Sequence, residues 1–269
     1  MIADMYRRRM IGSGWASSGC FLIAGMLFLI WRPRTSDDWL AFSAILLAGA
    51  ALAAGSVISR SKYEKVKNLQ IPEESVPLKE WGHMVIKRDL AFLPQLLLFH
   101  KDGRLVGTVR AIKPPLYILP LSVLLKDSLI FLFPLNYEIQ SPDGRTLLTL
   151  RRRGLKQSVV TILDTDGQTL GKYVQEDFKS LINVSGMLYG PREDRILSVK
   201  VKGLSGDLVI SGEDGIPLAR FANGFFPHNN TELFRDFDND IVHLSEDLAE
   251  DRKKLLIGTV SYLFLERSK

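Results

Sequence analysis

Apolar residues are not spread evenly along this chain. From Ile11 to Trp31 (IGSGWASSGCFLIAGMLFLIW) there is no charged residue, and there is none from Trp39 to Ser59 (WLAFSAILLAGAALAAGSVIS). At about 1.5 Å rise per residue, either run can cross a hydrocarbon core about 30 Å thick. A secretory signal has a shorter apolar run followed by polar sequence. Here a second run follows the short RPRTSDD loop. The pattern therefore predicts a transmembrane helical hairpin over 11–59, with spans 11–31 and 39–59.

The pattern changes after a basic stretch and a linker (60–80) whose Ile71 to Leu78 part, IPEESVPL, holds two prolines and two glutamates. From Trp81 onward, Asp-Gly pairs recur between β-branched and aromatic runs: FHKDGRLVGTV at Asp102-Gly103, IQSPDGRTLLTL at Asp143-Gly144, ILDTDGQTLGKYV at Asp166-Gly167 and ISGEDGIPLARF at Asp214-Gly215. Gly enters the positive-φ region without a Cβ penalty, so each pair predicts a β-hairpin. Their irregular spacing excludes a propeller or solenoid, which keeps a fixed period. The DTDG run lacks the further alternating ligands and closing Glu of a calcium loop, and reads as a turn. Leu116 to Leu135 (LYILPLSVLLKDSLIFLFPL) carries Lys126-Asp127 at its centre, which is costly in lipid. It reads as two buried strands around a charged turn.

The last segment has a helical period. A helix is predicted over 246–267, with Ser245 as N-cap and Glu246, Asp247, Glu250 and Asp251 near the positive end of its dipole. Its half from Leu255 to Leu265 is apolar on nearly every side. Eleven residues are too few to cross a bilayer, so protein must surround them. The fold expected for 81–269 is thus mainly β, an antiparallel β-barrel enclosing a C-terminal α-helix.

These residues resemble the Tubby C-terminal-like superfamily, which includes the plant LURP-one-related proteins and the phospholipid scramblases. The resemblance rests on FHKDGRLVGTV and LDTDGQTLGKY as hairpins and on DFDNDIVHLSEDLAEDRKKLLIGTVSYLFLER as a closing strand and helix, and covers Trp81 to Lys269. It implies a Tubby-like barrel and a non-enzymatic role at membrane lipids. Tubby proteins bind phosphoinositides through Lys and Arg on the barrel; no position is carried over from them. The sequence departs from scramblases in having two N-terminal spans and a single cysteine, Cys20.

Charge adds orientation. Arg7, Arg8 and Arg9 in the N-terminal segment 1–10, and the juxtamembrane Arg60, Lys62, Lys65 and Lys67, outnumber Arg32 and Arg34 of the loop. Both termini are therefore expected in the cytoplasm, as a two-pass protein of the cell membrane. Trp15, Trp31 and Trp39 suit the headgroup zone. Gly14 with Ser18, and Ala51 with Gly55, put small residues four apart, which allows close packing within the hairpin; a homo-oligomer through the transmembrane hairpin is a separate expectation.

Candidate chemistry is sparse. The chain has 46% apolar and 24% charged residues with net charge +5, which excludes disorder, and its basic residues are too dispersed to point to nucleic acid. No catalytic motif, cofactor motif or metal-ligand spacing is present; His83, His100, His228 and His243 read as surface or turn residues. One basic cluster stands out: Arg151, Arg152, Arg153 and Lys156, with Lys200 and Lys202 on another strand. Guanidinium groups bind phosphate bidentately, and an anionic leaflet attracts such cations, so this cluster is the candidate lipid- or phosphate-binding site. The expected role is a non-enzymatic membrane-tethered domain binding anionic headgroups or a protein partner at the cytoplasmic face. Alternatives are scramblase-like lipid transport and a membrane-anchored adaptor without a lipid ligand.

Overall fold

The structure, a computed structural model, describes residues 2–68, 73, 75–89, 93–115, 118, 134–154, 158–175, 184–201, 208–211, 217–224 and 239–266. The chain divides into two compact units, Met1–Gln70 and Ile71–Lys269.

The first unit is a pair of helices, α1 (Ile2–Trp31) and α2 (Ser36–Val66). Both are long and apolar enough to cross a membrane. Their outer surfaces expose Trp15, Leu22, Leu29, Leu40 and Leu47, the arrangement expected of a two-pass segment solvated by lipid. Each helix also outruns its uncharged span. At about 1.5 Å per residue they approach 45 Å, so Arg7–Arg9 and Arg60–Lys65 lie on helical extensions at the same end of the hairpin. Thr35 caps α2 in a reciprocal box with Asp38, and Arg32 takes φ +45° in the tight turn.

Small residues do bring the helices together: a Cβ on Gly14 would lie 3.4 Å from Ser56 Oγ of the other helix. Ser17 Oγ donates to the Gly49 carbonyl at 2.9 Å and Ser56 Oγ to the Met10 carbonyl at 2.8 Å. A Cβ on Gly49 would lie 3.2 Å from Cys20 and Phe21, whereas one on Gly55 would meet nothing within 4 Å. Phe28 and Phe42 close the loop end, their ring centroids 5.8 Å apart.

In the second unit, twelve strands are assigned among the described residues. They are β1 (His83–Asp89), β2 (Gln95–His100), β3 (Leu105–Ala111), β4 (Asn136–Gln140), β5 (Thr146–Arg153), β6 (Ser158–Leu163), β7 (Thr169–Gln175), β8 (Val184–Tyr189), β9 (Arg195–Val201), β10 (Leu208–Ser211), β11 (Pro217–Gly224) and β12 (Asn239–Leu244). All neighbours pair antiparallel in the order β10-β11-β12-β1-β2-β3-β4-β5-β6-β7-β8-β9. A helix, α3 (Glu250–Glu266), follows.

The expected barrel is not what forms. Closure needs the last strand to hydrogen-bond to the first with a consistent stagger. The end strands β9 and β10 run near each other, yet no ladder joins them among the described residues. The register of β10 with β11 slips between Ile210 and Ser211. The sheet is therefore open.

Curvature, rather than closure, covers the helix. α3 packs against β2, β5, β6 and β7, and its Phe264 meets Phe221 of β11 at 5.7 Å between ring centroids. Leu255, Leu256, Ile257, Val260, Tyr262 and Leu265 are all buried in one core with Met84, Leu98, Leu150, Ile162 and Tyr173. Two glycines set the close approach. A Cβ on Gly258 would sit 3.0 Å from Ile162 Cγ2, and one on Gly171 of β7 would lie 2.9 Å from Leu255 Cδ1. The helix begins later than the sequence suggests. Its first turn bond runs from Lys253 N–H to the Ala249 carbonyl, while the Ser245 N–H is spent on Leu218.

Hairpins at Asp102-Gly103, Asp143-Gly144 and Asp166-Gly167 are present, with glycine φ of +90°, +83° and +78°. The aspartates do not share the positive φ, and each hairpin shows a register shift one step from the turn. This is a type I turn closed by a glycine bulge. A fourth hairpin of the same form joins β8 to β9 with Glu193 at φ +63°. It carries no Asp-Gly, so sequence reading passed over it. The Asp214-Gly215 turn and the charged turn at Lys126-Asp127 lie outside the described residues.

The aspartates act instead through their side chains. Asp102 accepts from Arg104 Nε at 2.7 Å and lies 2.9 Å from His100 Nδ1. Burial pushes its carboxyl up, but the bonds from Arg104 and His100 prevail and hold it at about 2. A depressed carboxyl stabilises the fold above its unfolded value near 3.9, and that contribution vanishes as pH falls through about 2. Asp102→Asn is thus expected to lower the denaturation midpoint at pH 7, with the deficit shrinking between pH 4 and 2 in urea titrations of the full chain. A constant deficit across that range would contradict the assignment.

The linker is partly absorbed into this unit. Glu73 bridges Leu105, Arg145 Nη2 donates to Ser75 Oγ at 2.9 Å, and Trp81 is fully buried with its indole N–H on the Val76 carbonyl at 3.1 Å. Trp81 fits because residue 107 is glycine; a Cβ there would lie 2.8 Å from the indole.

Candidate functional site

Strand alternation divides the arginine run. On β5, Arg151 and Arg153 are exposed while Arg152 points into the unit and is only 4% exposed. Arg152 Nε donates to Tyr262 Oη at 3.0 Å and its Nη2 to Ser158 Oγ at 2.9 Å; Tyr262 Oη in turn donates to Glu266 Oε1 at 3.3 Å. The guanidinium therefore ties β5 and β6 to the last turn of α3. Burial and the nearby Glu266 push the Tyr262 phenol far up, against the opposing pull of Arg152. It remains a neutral hydrogen-bonding group, not a nucleophile. Burial raises Tyr137 in the same way.

The remaining members of the cluster are dispersed. Lys200 stands on β9 opposite Ser185, with β6, β7 and β8 between it and β5. Four strand spacings separate those two strands, about 19 Å along the sheet. Lys156 and Lys202 lie outside the described residues. What the outer surface of β5 presents is the pair Arg151 and Arg153.

The juxtamembrane cations occupy the end of α2. Arg60, Lys62 and Lys65 lie in its last two turns and Lys67 is its C-cap, where positive charge opposes the negative end of the dipole. Lys62 Nζ lies 5.8 Å from the centroid of the Tyr6 ring, and Lys67 pairs with Glu64.

Sequence reading missed one arrangement altogether. His83 of β1 and His243 of β12 are register partners, and their Nδ1 atoms lie 2.5 Å apart with the rings nearly perpendicular. Both are half-buried. They are 160 positions apart, so no local spacing could reveal them. Only the pairing of the first strand with the last does so. Among the described residues, no three His, Cys, Asp or Glu side chains converge as metal ligands.

No protein-family model matches the chain, and no curated protein matches it in sequence. Among solved structures, a protein of the plant Arabidopsis thaliana is similar at 14% identity and a TM-score of 0.39, over 72% of this chain and 95% of that one.

Proposed function

We propose that the chain is a non-enzymatic, membrane-tethered domain of Tubby-like kinship that engages anionic lipid headgroups at the cytoplasmic face, where the flanking arginines and lysines orient it. The observation that carries this reading is the outward-facing pair Arg151 and Arg153 on a sheet whose other face is filled by α3. On β5 the α3 side is taken by Leu148, Leu150 and Arg152, which leaves Arg151 and Arg153 on the solvent side. Each outward cation near an anionic surface contributes on the order of 1 kcal/mol. The hairpin supports anchoring over lipid transport: within its uncharged spans, Ser17 and Ser56 bond backbone carbonyls of the facing helix.

Vesicle capture by the full chain in neutral nanodiscs tests this. At pH 7.5 and low salt, phosphatidylglycerol vesicles should be captured and phosphatidylcholine vesicles not. The Arg151→Ala/Arg153→Ala variant should bind roughly 30-fold more weakly, from about 2 kcal/mol lost. Equal capture of neutral and anionic vesicles would remove the lipid reading and leave a protein partner.

A further inference from the structure

The histidine pair sits within a row of basic side chains crossing four adjacent parts of the sheet. Arg220 of β11 is the register partner of His243, and His243 that of His83. Directly opposed residues of antiparallel strands share a face, with Cβ atoms about 5 Å apart. Lys101, in the turn after β2, is close enough to act on His83 electrostatically. Arg220 and Lys101 are exposed and the two histidines half-buried, so the row is reachable from solvent. We propose that Arg220, His243, His83 and Lys101 form a binding site for a tetrahedral oxyanion, a phosphate of a lipid headgroup or one free in solution, and that its binding loads a proton onto the histidine pair.

The proton count follows from the geometry. Two Nδ1 atoms at hydrogen-bond distance need one N–H between them, a condition that two neutral rings meet. Burial, His243 and Lys101 all hold His83 below the usual histidine range. An anion seated against the row reverses the balance: one proton is taken from solvent, the shared bond breaks, and both rings become donors toward the oxyanion. The surrounding groups are consistent with this. Glu246, after β12, is exposed and favours the protonated form of His83, whereas His100 of β2 opposes it. Asp102 is engaged by His100 and Arg104. Flanking Arg220 and Lys101 repel a metal cation, which makes the oxyanion the favoured ligand.

This inference goes beyond the Arg151 and Arg153 reading and does not depend on it. The full chain in neutral nanodiscs is titrated with sulfate at constant ionic strength, by calorimetry in buffers of different ionisation enthalpy. A parallel arm measures capture of phosphatidylglycerol vesicles. Neither probe titrates between pH 5.5 and 7.5, so any pH dependence belongs to the protein. Uptake of up to one proton per sulfate and about tenfold or more weakening from pH 5.5 to 7.5 are expected. His83→Gln or His243→Gln should abolish the uptake and the pH slope, and Arg220→Gln should weaken binding at both pH values. Sulfate binding with a matching pH-dependent gain in vesicle capture assigns the site to lipid; sulfate binding alone assigns it to a free oxyanion. The proposal is overturned by absent sulfate binding, by a pH slope that survives both histidine substitutions, or by zinc stabilising the chain through these histidines. Failure of the Arg151/Arg153 test at pH 7.5 leaves these outcomes untouched.

Discussion

Ending the chain after Ala249 is expected to leave residues 71–249 without a cooperative folded state. The removed helix places Leu255, Leu256, Ile257, Val260, Tyr262, Phe264 and Leu265 in the core. At about 1.5–3 kcal/mol for each large apolar side chain, their burial amounts to roughly 10–20 kcal/mol, an upper bound because unfolded chains already bury some surface. The whole stability of a domain is about 5–15 kcal/mol. Nothing in an open sheet replaces that core. Circular dichroism and urea titration of the chain ended after Ala249, hairpin included, in detergent should show no sigmoidal transition for the β unit. A transition of undiminished midpoint would mean that the helix is an appendage.

The second large effect is expected at Arg152. Arg152→Ala should cost about 2–4 kcal/mol, combining a cavity with hydroxyls of Tyr262 and Ser158 that lose a buried partner. Arg152→Met, which keeps most of the volume, should cost less. Tyr262→Phe should lose little more when Arg152 is already gone, since the two share one network, and a double-mutant cycle reads that coupling directly. Additive losses would show that the guanidinium and the phenol do not support each other. Vesicle capture should be impaired by Arg152→Ala only in proportion to unfolding, because this side chain points inward.

This split within Arg151–Arg153 marks where sequence reading stopped. Alternation along β5 was available from the sequence, and it predicts that one arginine of three faces the other way. Which face is core follows only when α3 is seen to pack against β5, β6 and β7. The two helices of the anchor and the apolar terminal helix were legible because each rests on a long local pattern. Hairpin positions were legible for the same reason, through glycine at positive φ. Barrel closure was not: it depends on whether the distant ends β9 and β10 share hydrogen bonds, and a buried helix alone does not demand it. The histidine pair was hidden for a kindred reason, since β1 and β12 meet across nearly the whole β unit. Reading the terminal helix as enclosed led correctly to a strand-rich unit ending in a buried helix and incorrectly to a closed cylinder.

Amide hydrogen exchange of the full chain in lipid nanodiscs tests most directly whether α3 is the core of the β unit. Amides from Leu255 to Leu265 should exchange as slowly as those of β5, β6 and β7, through the same global opening, and equally in neutral and anionic lipid. Fast exchange of this segment, or protection that appears only with a particular lipid, would contradict the account.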